Sequence, residues 1–190
     1  MNTFDQLEKY CRRITEISDE EWIAFYSKFE VVHLKKNEYY TKFGEQEDYV
    51  YFLNSGIVRV YTTKEDKEHS AFFFFENSFF SSTENLIANQ PSLLGCHSIT
   101  DTESVRIHKK DLFDLFDQYK SIDRLGRLVI EENRSNLLDQ YLDLLCMTAE
   151  TRYEKLFEKH AQLVLNIPVK YLASFLGVHQ NSLSRIRSKI

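Results

Sequence analysis

Between residues 30 and about 107 the hydrophobic period of this chain is that of strands, with helical periods on either side, and this alternation limits the folds open to it. Short β-branched and aromatic runs occur at Val31–Leu34, Tyr39–Thr41, Tyr49–Leu53, Ile57–Thr62, Ala71–Phe75 and Val105–Ile107. Turn chemistries separate them: Phe43-Gly44-Glu45, Asn54-Ser55-Gly56 and Lys64-Glu-Asp-Lys-Glu68. Short strands at even spacing predict a barrel, sandwich or roll rather than a parallel sheet. Asn54-Ser55-Gly56, between two alternating runs, predicts a hairpin. Fifteen Phe and eleven Tyr, most of them before residue 120, suit a β-rich core or an apolar cavity.

Helical patterns flank this region. Residues 1 to about 28 read as helix, with Ser18-Asp-Glu-Glu21 at capping-box spacing before Trp22, Phe25 and Tyr26. A long helix is predicted from about Ser121 to Met147. Ile122, Leu125 and Val129 begin an apolar stripe on it, and Leu138, Tyr141, Leu142 and Leu145 end one. Glu131 to Asn136 is polar throughout, so the stripe is not a continuous coiled-coil seam. The stripe of Ile122, Leu125 and Val129 is expected in a two-fold interface. Gly126 costs about 1 kcal/mol in a helix relative to Ala, which a close helix crossing or a break between two helices would explain.

From Asn166 to Ile190 the pattern predicts two short helices joined by a sharp turn. Asn166 is placed as the cap of the first and Pro168 in its opening turn. Leu172, Phe175 and Leu176 share one face, Ala173 is small enough for a close crossing, and Gly177 supplies a left-handed residue that ends the helix. On the second helix Leu183, Ile186 and Ile190 form an inward stripe within about 60° of arc. Asn181, Ser184, Arg185 and Ser188 lie opposite, with Gln180 to one side, Ser182 beside them and Lys189 on the flank. Arginine pairs bidentately with guanine, and Asn or Gln pairs with adenine, so this polar face suits base edges in a major groove. Lys170, Arg185, Arg187 and Lys189 are four basic residues with no acidic one after Ile167. The rest of the chain is therefore more acidic than the net charge of −5, and positive charge gathers where phosphates would be met.

Composition narrows the classes further. At 190 residues the chain can bury one full domain and a small one. No apolar run approaches the ~20 residues of a membrane span, and Met-Asn-Thr-Phe-Asp lacks a signal region. Cys11, Cys96 and Cys146 are scattered and match no CxxC spacing, which predicts a reducing cytoplasm and small apolar fillers rather than a zinc or iron–sulfur site. No cofactor is expected.

Phe43-Gly44, the run Tyr49-Val-Tyr-Phe-Leu-Asn-Ser-Gly-Ile-Val-Arg-Val-Tyr61, Thr148-Ala-Glu-Thr-Arg-Tyr153, and Leu172-Ala-Ser-Phe-Leu-Gly177 through Leu183-Ser-Arg-Ile186 together resemble the Crp/Fnr family of bacterial transcription regulators. The resemblance spans nearly the whole chain in the same order. It implies an α+β protein with an N-terminal antiparallel β-roll of jelly-roll (double-stranded β-helix) type with flanking helices. It further implies a long dimerisation helix and a C-terminal helix-turn-helix, which in this sequence is expected to lack a full wing. The corresponding divisions are 1–120 for a cyclic-nucleotide-binding-like sensor, 121–147 for the dimerisation helix and 148–190 for the DNA-binding domain. The implied partners are a second copy of the chain, a two-fold-related operator in double-stranded DNA with a recognition helix in each major groove, RNA polymerase and a small-molecule effector. Base-reading positions of the family fall on Gln180, Asn181 and Arg185.

Two departures from the family pattern alter what it implies. Cyclic-AMP-binding members carry a Gly-Glu pair and, about ten residues later, an Arg that meets the phosphate. Counting from Asn77-Ser-Phe-Phe80, the pair falls on Ser81 and Ser82 and the arginine on Ser92, so the candidate pocket is Phe80, Ser81, Ser82 and Ser92. No Arg or Lys lies between Lys67 and Arg106, and a buried phosphate without counter-charge costs several kcal/mol. A neutral, apolar or absent ligand is expected instead of cyclic AMP. Many members also continue into a β-wing, whereas this sequence ends at Ile190, so DNA contacts are expected from the recognition helix.

Other classes predict different features. A cupin-like metalloenzyme would use a His-x-His with a nearby Glu, but His33, His69, His97 and His108 each stand alone and read as surface or hydrogen-bonded histidines. No Ser-His-Asp pattern, Gly-rich phosphate loop or Cys nucleophile signature occurs, so no metal and no catalytic residue is assigned. Two further alternatives keep the roll but not the DNA: a small-molecule-binding β-roll protein, and a sensor whose terminal helix pair serves as a protein interface.

Overall fold

The computed structural model describes residues 3–81 and 90–188. Two helices open it, α1 (Asp5–Ile14) and α2 (Asp19–Tyr26), followed by β1 (Phe29–Leu34), β2 (Tyr39–Thr41), β3 (Tyr49–Ser55), β4 (Val58–Lys64) and β5 (Lys67–Phe74). Next come β6 (Ser78–Phe80), β7 (Gly95–Ser98) and β8 (Thr102–His108), then α3 (Lys109–Gln118), α4 (Lys120–Cys146), α5 (Ala149–Val164), α6 (Val169–Leu176) and α7 (Gln180–Arg187).

The strands form two four-stranded antiparallel sheets, in the orders β1-β8-β3-β6 and β2-β7-β4-β5. The chain passes repeatedly between the sheets, which gives the jelly-roll order. The expected roll is therefore present. β6 and β7 escaped the sequence pattern because they are short and carry little β-branched character.

One expected hairpin is absent. Asn54-Ser55-Gly56 joins β3 to β4, yet these strands lie in different sheets, β3 pairing with β6 and β8 and β4 with β5 and β7. The turn changes sheet because Gly56, at φ +98°, lets the chain press against the Asp101 carbonyl, where an added Cβ would come within 2.6 Å. The true hairpin joins β4 to β5, with Lys64 opposite Lys67 and both Glu65 and Asp66 at positive φ. That is the two-residue turn whose twist matches paired strands.

Three apolar layers result. Inside the roll, Tyr51, Leu53, Val58, Val60, Phe80 and Cys96 are buried together. Outside the first sheet, Phe52, Phe79, Val105 and Ile107 pack against Leu7, Trp22, Phe25, Leu115, Ile122 and Leu125. Outside the second, Ile57, Phe73, Phe75 and Ile99 share a core with Tyr153, Val164, Ile167, Leu172, Leu176, Leu183 and Ile186. Alternation along β5 produces this split, because Phe72 and Phe74 point inward while Phe73 faces the terminal helices. Ser18 and Glu21 form the predicted capping box at the start of α2.

α4 behaves differently along its length. Ile122 and Leu125 are buried within the protein's own core, with Val129 packed against it, so this stripe does not lie in a two-fold interface as expected. The N-terminal helices need an apolar partner, and the first turns of α4 supply it. Farther along, Ile130, Leu137, Leu138, Tyr141, Leu142, Leu144 and Leu145 are between 46% and 63% exposed. At 100° per residue these seven side chains span about 160° of arc, beginning about 40° from Ile122 and running away from the buried stripe.

Gly126 marks a crossing, since α4 continues unbroken through it and a Cβ there would meet the Phe116 ring at 2.5 Å. Gly126→Ala should therefore lower stability by about 1–3 kcal/mol through overpacking, although Ala is the better helix former. Thermal unfolding of Gly126→Ala with and without Phe116→Leu tests this: the second change should return most of the loss, and additive losses would remove the crossing as the cause.

Candidate functional site

Local rules place α6 and α7. Gly177 adopts φ +67°, and the N–H of Val178 donates to the Ala173 carbonyl while that of Gly177 donates to Ser174. This is a Schellman closure, which uses carbonyls left over at a helix end. The N-cap of α6 falls on Pro168 with no side-chain cap, so Asn166 is not the cap expected of it. Proline already holds φ near the helical value, and buried Ile167 anchors the approach. α7 is capped instead by His179, whose Nδ1 accepts from the Asn181 N–H at 3.3 Å.

Leu183 and Ile186 are buried against Leu172 and Leu176, whereas Gln180, Asn181, Ser182, Ser184, Arg185 and Ser188 are all exposed. Lys189 and Ile190 lie outside the described residues. Ser184 and Ser188 donate back to the Gln180 and Arg185 carbonyls at 3.1 and 2.9 Å. The Arg185 guanidinium holds no ion pair among the described residues, and nothing there ties it to the core. Arg187 behaves differently, reaching back to the Val164 and Ile167 carbonyls at 3.4 Å, so it braces the helix pair rather than extending the outward basic face. Arg152 also braces, donating to the carbonyls of Leu144 at the end of α4 and of Leu176 at the end of α6.

Phe80 is buried inside the roll, stacked on Tyr51 with centroids 5.1 Å apart and on Phe74 at 5.6 Å. Tyr40 meets Phe80 edge-on at 5.0 Å and hydrogen-bonds Thr102 at 2.7 Å. Ser81 is half-buried, and Ser82 lies outside the described residues. Ser92 is buried; its hydroxyl donates to the Leu94 carbonyl at 2.6 Å and accepts from the Leu94 N–H at 3.0 Å. Its backbone closes on the Phe43-Gly44-Glu45 turn, with the Gly44 N–H donating to the Ser92 carbonyl and the Ser92 N–H to that of Glu45, both at 2.8 Å.

Two charged groups here were missed by the sequence reasoning. Glu47 is 3% exposed and accepts from the Tyr49 N–H at 3.1 Å and the Tyr51 hydroxyl at 3.3 Å. Burial pushes its carboxyl up to about 7. Arg59, 1% exposed, points outward from β4 toward α6. It donates to Ser70 at 2.7 Å and Glu68 at 2.6 Å, and lies 3.9 Å from the centroid of Tyr171 and 5.0 Å from that of Tyr61. An arginine between Val58 and Val60 in a strand was the available signal, since strand alternation puts it on the face opposite both valines. His97 was expected at the surface or hydrogen-bonded. It is buried 3.5 Å from Arg59 and edge-on to Tyr171, and burial with the arginine charge lowers its pKa to about 4. His33 and His69 are exposed, and His108 caps α3 through its Nδ1.

Among the described residues no group of His, Cys, Asp and Glu could hold a metal ion, and no helix is long and apolar enough to cross a membrane.

Residues 31–119 match the family described as Cyclic nucleotide-binding domain. Solved structures share the fold over most of the chain. FixK2 from Bradyrhizobium japonicum aligns with a TM-score of 0.72 at 20% identity, covering 85% of this chain and 83% of that one. CLP, the c-di-GMP responsive global regulator from Xanthomonas campestris, aligns at 0.70 and 16%, covering 90% and 91%. A CooA mutant from Carboxydothermus hydrogenoformans aligns at 0.67 and 16%, covering 93% and 85%. No curated protein sequence matches the chain. The roll is thus of the cyclic nucleotide-binding type, followed by helices in the arrangement of these structures.

Glu47 and His97 give opposite pH dependences. His97 takes up a proton near 6.5 when unfolded but near 4 when folded, so its contribution is complete above 6.5 and lost as pH falls toward 4. Glu47 releases its proton near 4.5 when unfolded and near 7 when folded, so its contribution is complete below 4.5 and lost as pH rises through 7. Urea unfolding across this range should show the wild type losing ground to His97→Gln on acidification and to Glu47→Gln on alkalinisation. Parallel curves for wild type and variant would contradict the corresponding shift.

Proposed function

We propose that this protein is a sequence-specific DNA-binding transcription regulator of Crp/Fnr type, not an enzyme, working as a homodimer in the cytoplasm. Residues 1–120 form its sensor, 121–147 its dimerisation helix and 148–190 a helix-turn-helix with α7 as recognition helix. The observation that carries this is the outward face of α7: Gln180, Asn181 and Arg185 meet solvent while Leu183 and Ile186 anchor the same helix. Amide and guanidinium groups held on an anchored helix can meet base edges in a major groove. Ser182, Ser184, Ser188 and Lys189 complete the contact set, with Lys189 assigned to phosphate. Structural likeness to FixK2, CLP and CooA adds support at the level of fold.

A second copy covers the exposed apolar side of α4. Leu137, Leu138, Tyr141, Leu142, Leu144 and Leu145 form the seam in place of Ile122, Leu125 and Val129, which the core already uses. Two α7 helices related by a two-fold axis then address half-sites about one helical turn apart. The effector, where one binds, is neutral or apolar. Stacked Tyr51, Phe80 and Phe74 and the buried Glu47 inside the roll suit a phosphate poorly, which argues against cyclic AMP.

Arg185→Ala should lose about 1–3 kcal/mol on a duplex selected by the wild type from a random pool and relax selectivity at one base pair per half-site, with an unchanged melting temperature. Equal weakening on all sequences, together with early melting, would assign Arg185 to the fold instead. A wild type that retains no DNA at low salt would leave only a roll binding small molecules or proteins.

Leu138→Glu with Leu145→Glu should give folded monomers that no longer bind the selected duplex tightly. Sedimentation of the wild type as a monomer at micromolar concentration would end the dimer assignment.

A further inference from the structure

We propose that Arg59 and Tyr171 form a latch by which the roll sets the position of α7, making them positioning residues for DNA reading; this rests on the regulator function proposed above. The two residues are far apart in sequence, on β4 and in the first turn of α6. The guanidinium lies 3.9 Å from the centroid of Tyr171 and 5.0 Å from that of Tyr61. Glu68 neutralises it at 2.6 Å, and Ser70 holds its Nε at 2.7 Å. A buried cation so fully engaged has one geometry, and planar stacking passes that geometry to the ring.

Three neighbouring contacts lie on the same seam. The Ser70 N–H, on edge strand β5, donates to the Ser174 hydroxyl of α6 at 3.0 Å. Phe175 meets Phe73 edge-on at 5.4 Å, and His97 meets Tyr171 at 5.4 Å. α6 therefore closes an open sheet edge with a directed hydrogen bond as well as with apolar surface. α7 follows α6 through the Gly177 turn and shares its core, so an α6 held on β5 holds α7 as well. The latch leaves the polar face of α7 exposed, so it orients that face and does not mask it. Orientation matters because two recognition helices must meet half-sites at one fixed spacing. Loss of the latch should weaken specific binding, which needs that spacing, and spare non-specific binding, which needs only charge.

Tyr171→Leu keeps apolar volume and removes the ring face; Tyr171→Phe keeps the ring. With a labelled duplex selected by the wild type, Tyr171→Leu should bind on the order of tenfold more weakly, in the usual range of coupling between sites. Its affinity for unrelated duplex and its salt slope should match the wild type, and Tyr171→Phe should restore specific binding. Hydrogen exchange at the Ser70 amide, read without DNA, should rise in Tyr171→Leu and not in Tyr171→Phe. If Tyr171→Leu fails to fold, Arg59→Lys, which keeps the charge beside Glu68 and loses the planar stack, is judged by the same measurements. Unchanged specific affinity overturns the latch, and so does tighter binding, which would make the contact a restraint. A wild type that binds no duplex fails the regulator function itself, while the exchange result still reports whether Tyr171 holds α6 on the sheet.

Discussion

Both outer faces of the roll must be covered, and the remaining helices are arranged by that requirement. Strand alternation pushes Phe52, Val105 and Ile107 out of one sheet and Phe73 out of the other, where Ile57 and Phe75 at the strand ends join it. Left in water, those side chains would forfeit the burial that drives folding. The first sheet recruits α1, α2, α3 and the opening turns of α4, and the second recruits the C-terminal helices. The helix pair carrying the polar face therefore shares a core with the outer face of the second sheet rather than being attached by a tether.

That arrangement explains the charges it contains. Arg59 and His97 sit at the covered face because the sheet presents one outward row there and α6 lies across it. Burial alone would expel an arginine. Glu68, Ser70 and two tyrosine rings make the site tolerable, and such a satisfied group specifies one arrangement more sharply than an apolar contact does. Arg152 applies the same logic at the other end of the helix pair, tying the ends of α4 and α6 through their terminal carbonyls.

α4 shows how one helix serves two environments. Its 27 residues extend about 40 Å. The first turns bury Ile122 and Leu125 at home, and the later turns carry leucines that stand exposed. The polar stretch from Glu131 to Asn136 separates these duties, and Tyr10 reaches Glu132 across it from α1. Seven exposed apolar side chains gathered on one side of a helix have the character of an interface.

Much of this was legible in the residues, because local rules govern it. Period, capping chemistry and glycine conformation marked α2, the strand runs, the end of α6 at Gly177, and the split of α7 into an anchored and an exposed face. Nothing local could say that Asn54-Ser55-Gly56 changes sheet, since pairing depends on strands distant in sequence. Nor could it tell which apolar stripe of α4 the protein keeps for itself, or that Gly126 answers to Phe116. The burial of Glu47 and the meeting of Arg59 with Tyr171 likewise arise only once the roll has closed and the terminal helices lie on it. The sequence by itself determined which surfaces are apolar and where the chain must turn, because those are properties of short segments. Only the tertiary structure decided which surface meets which, because that choice depends on the shape of the whole chain.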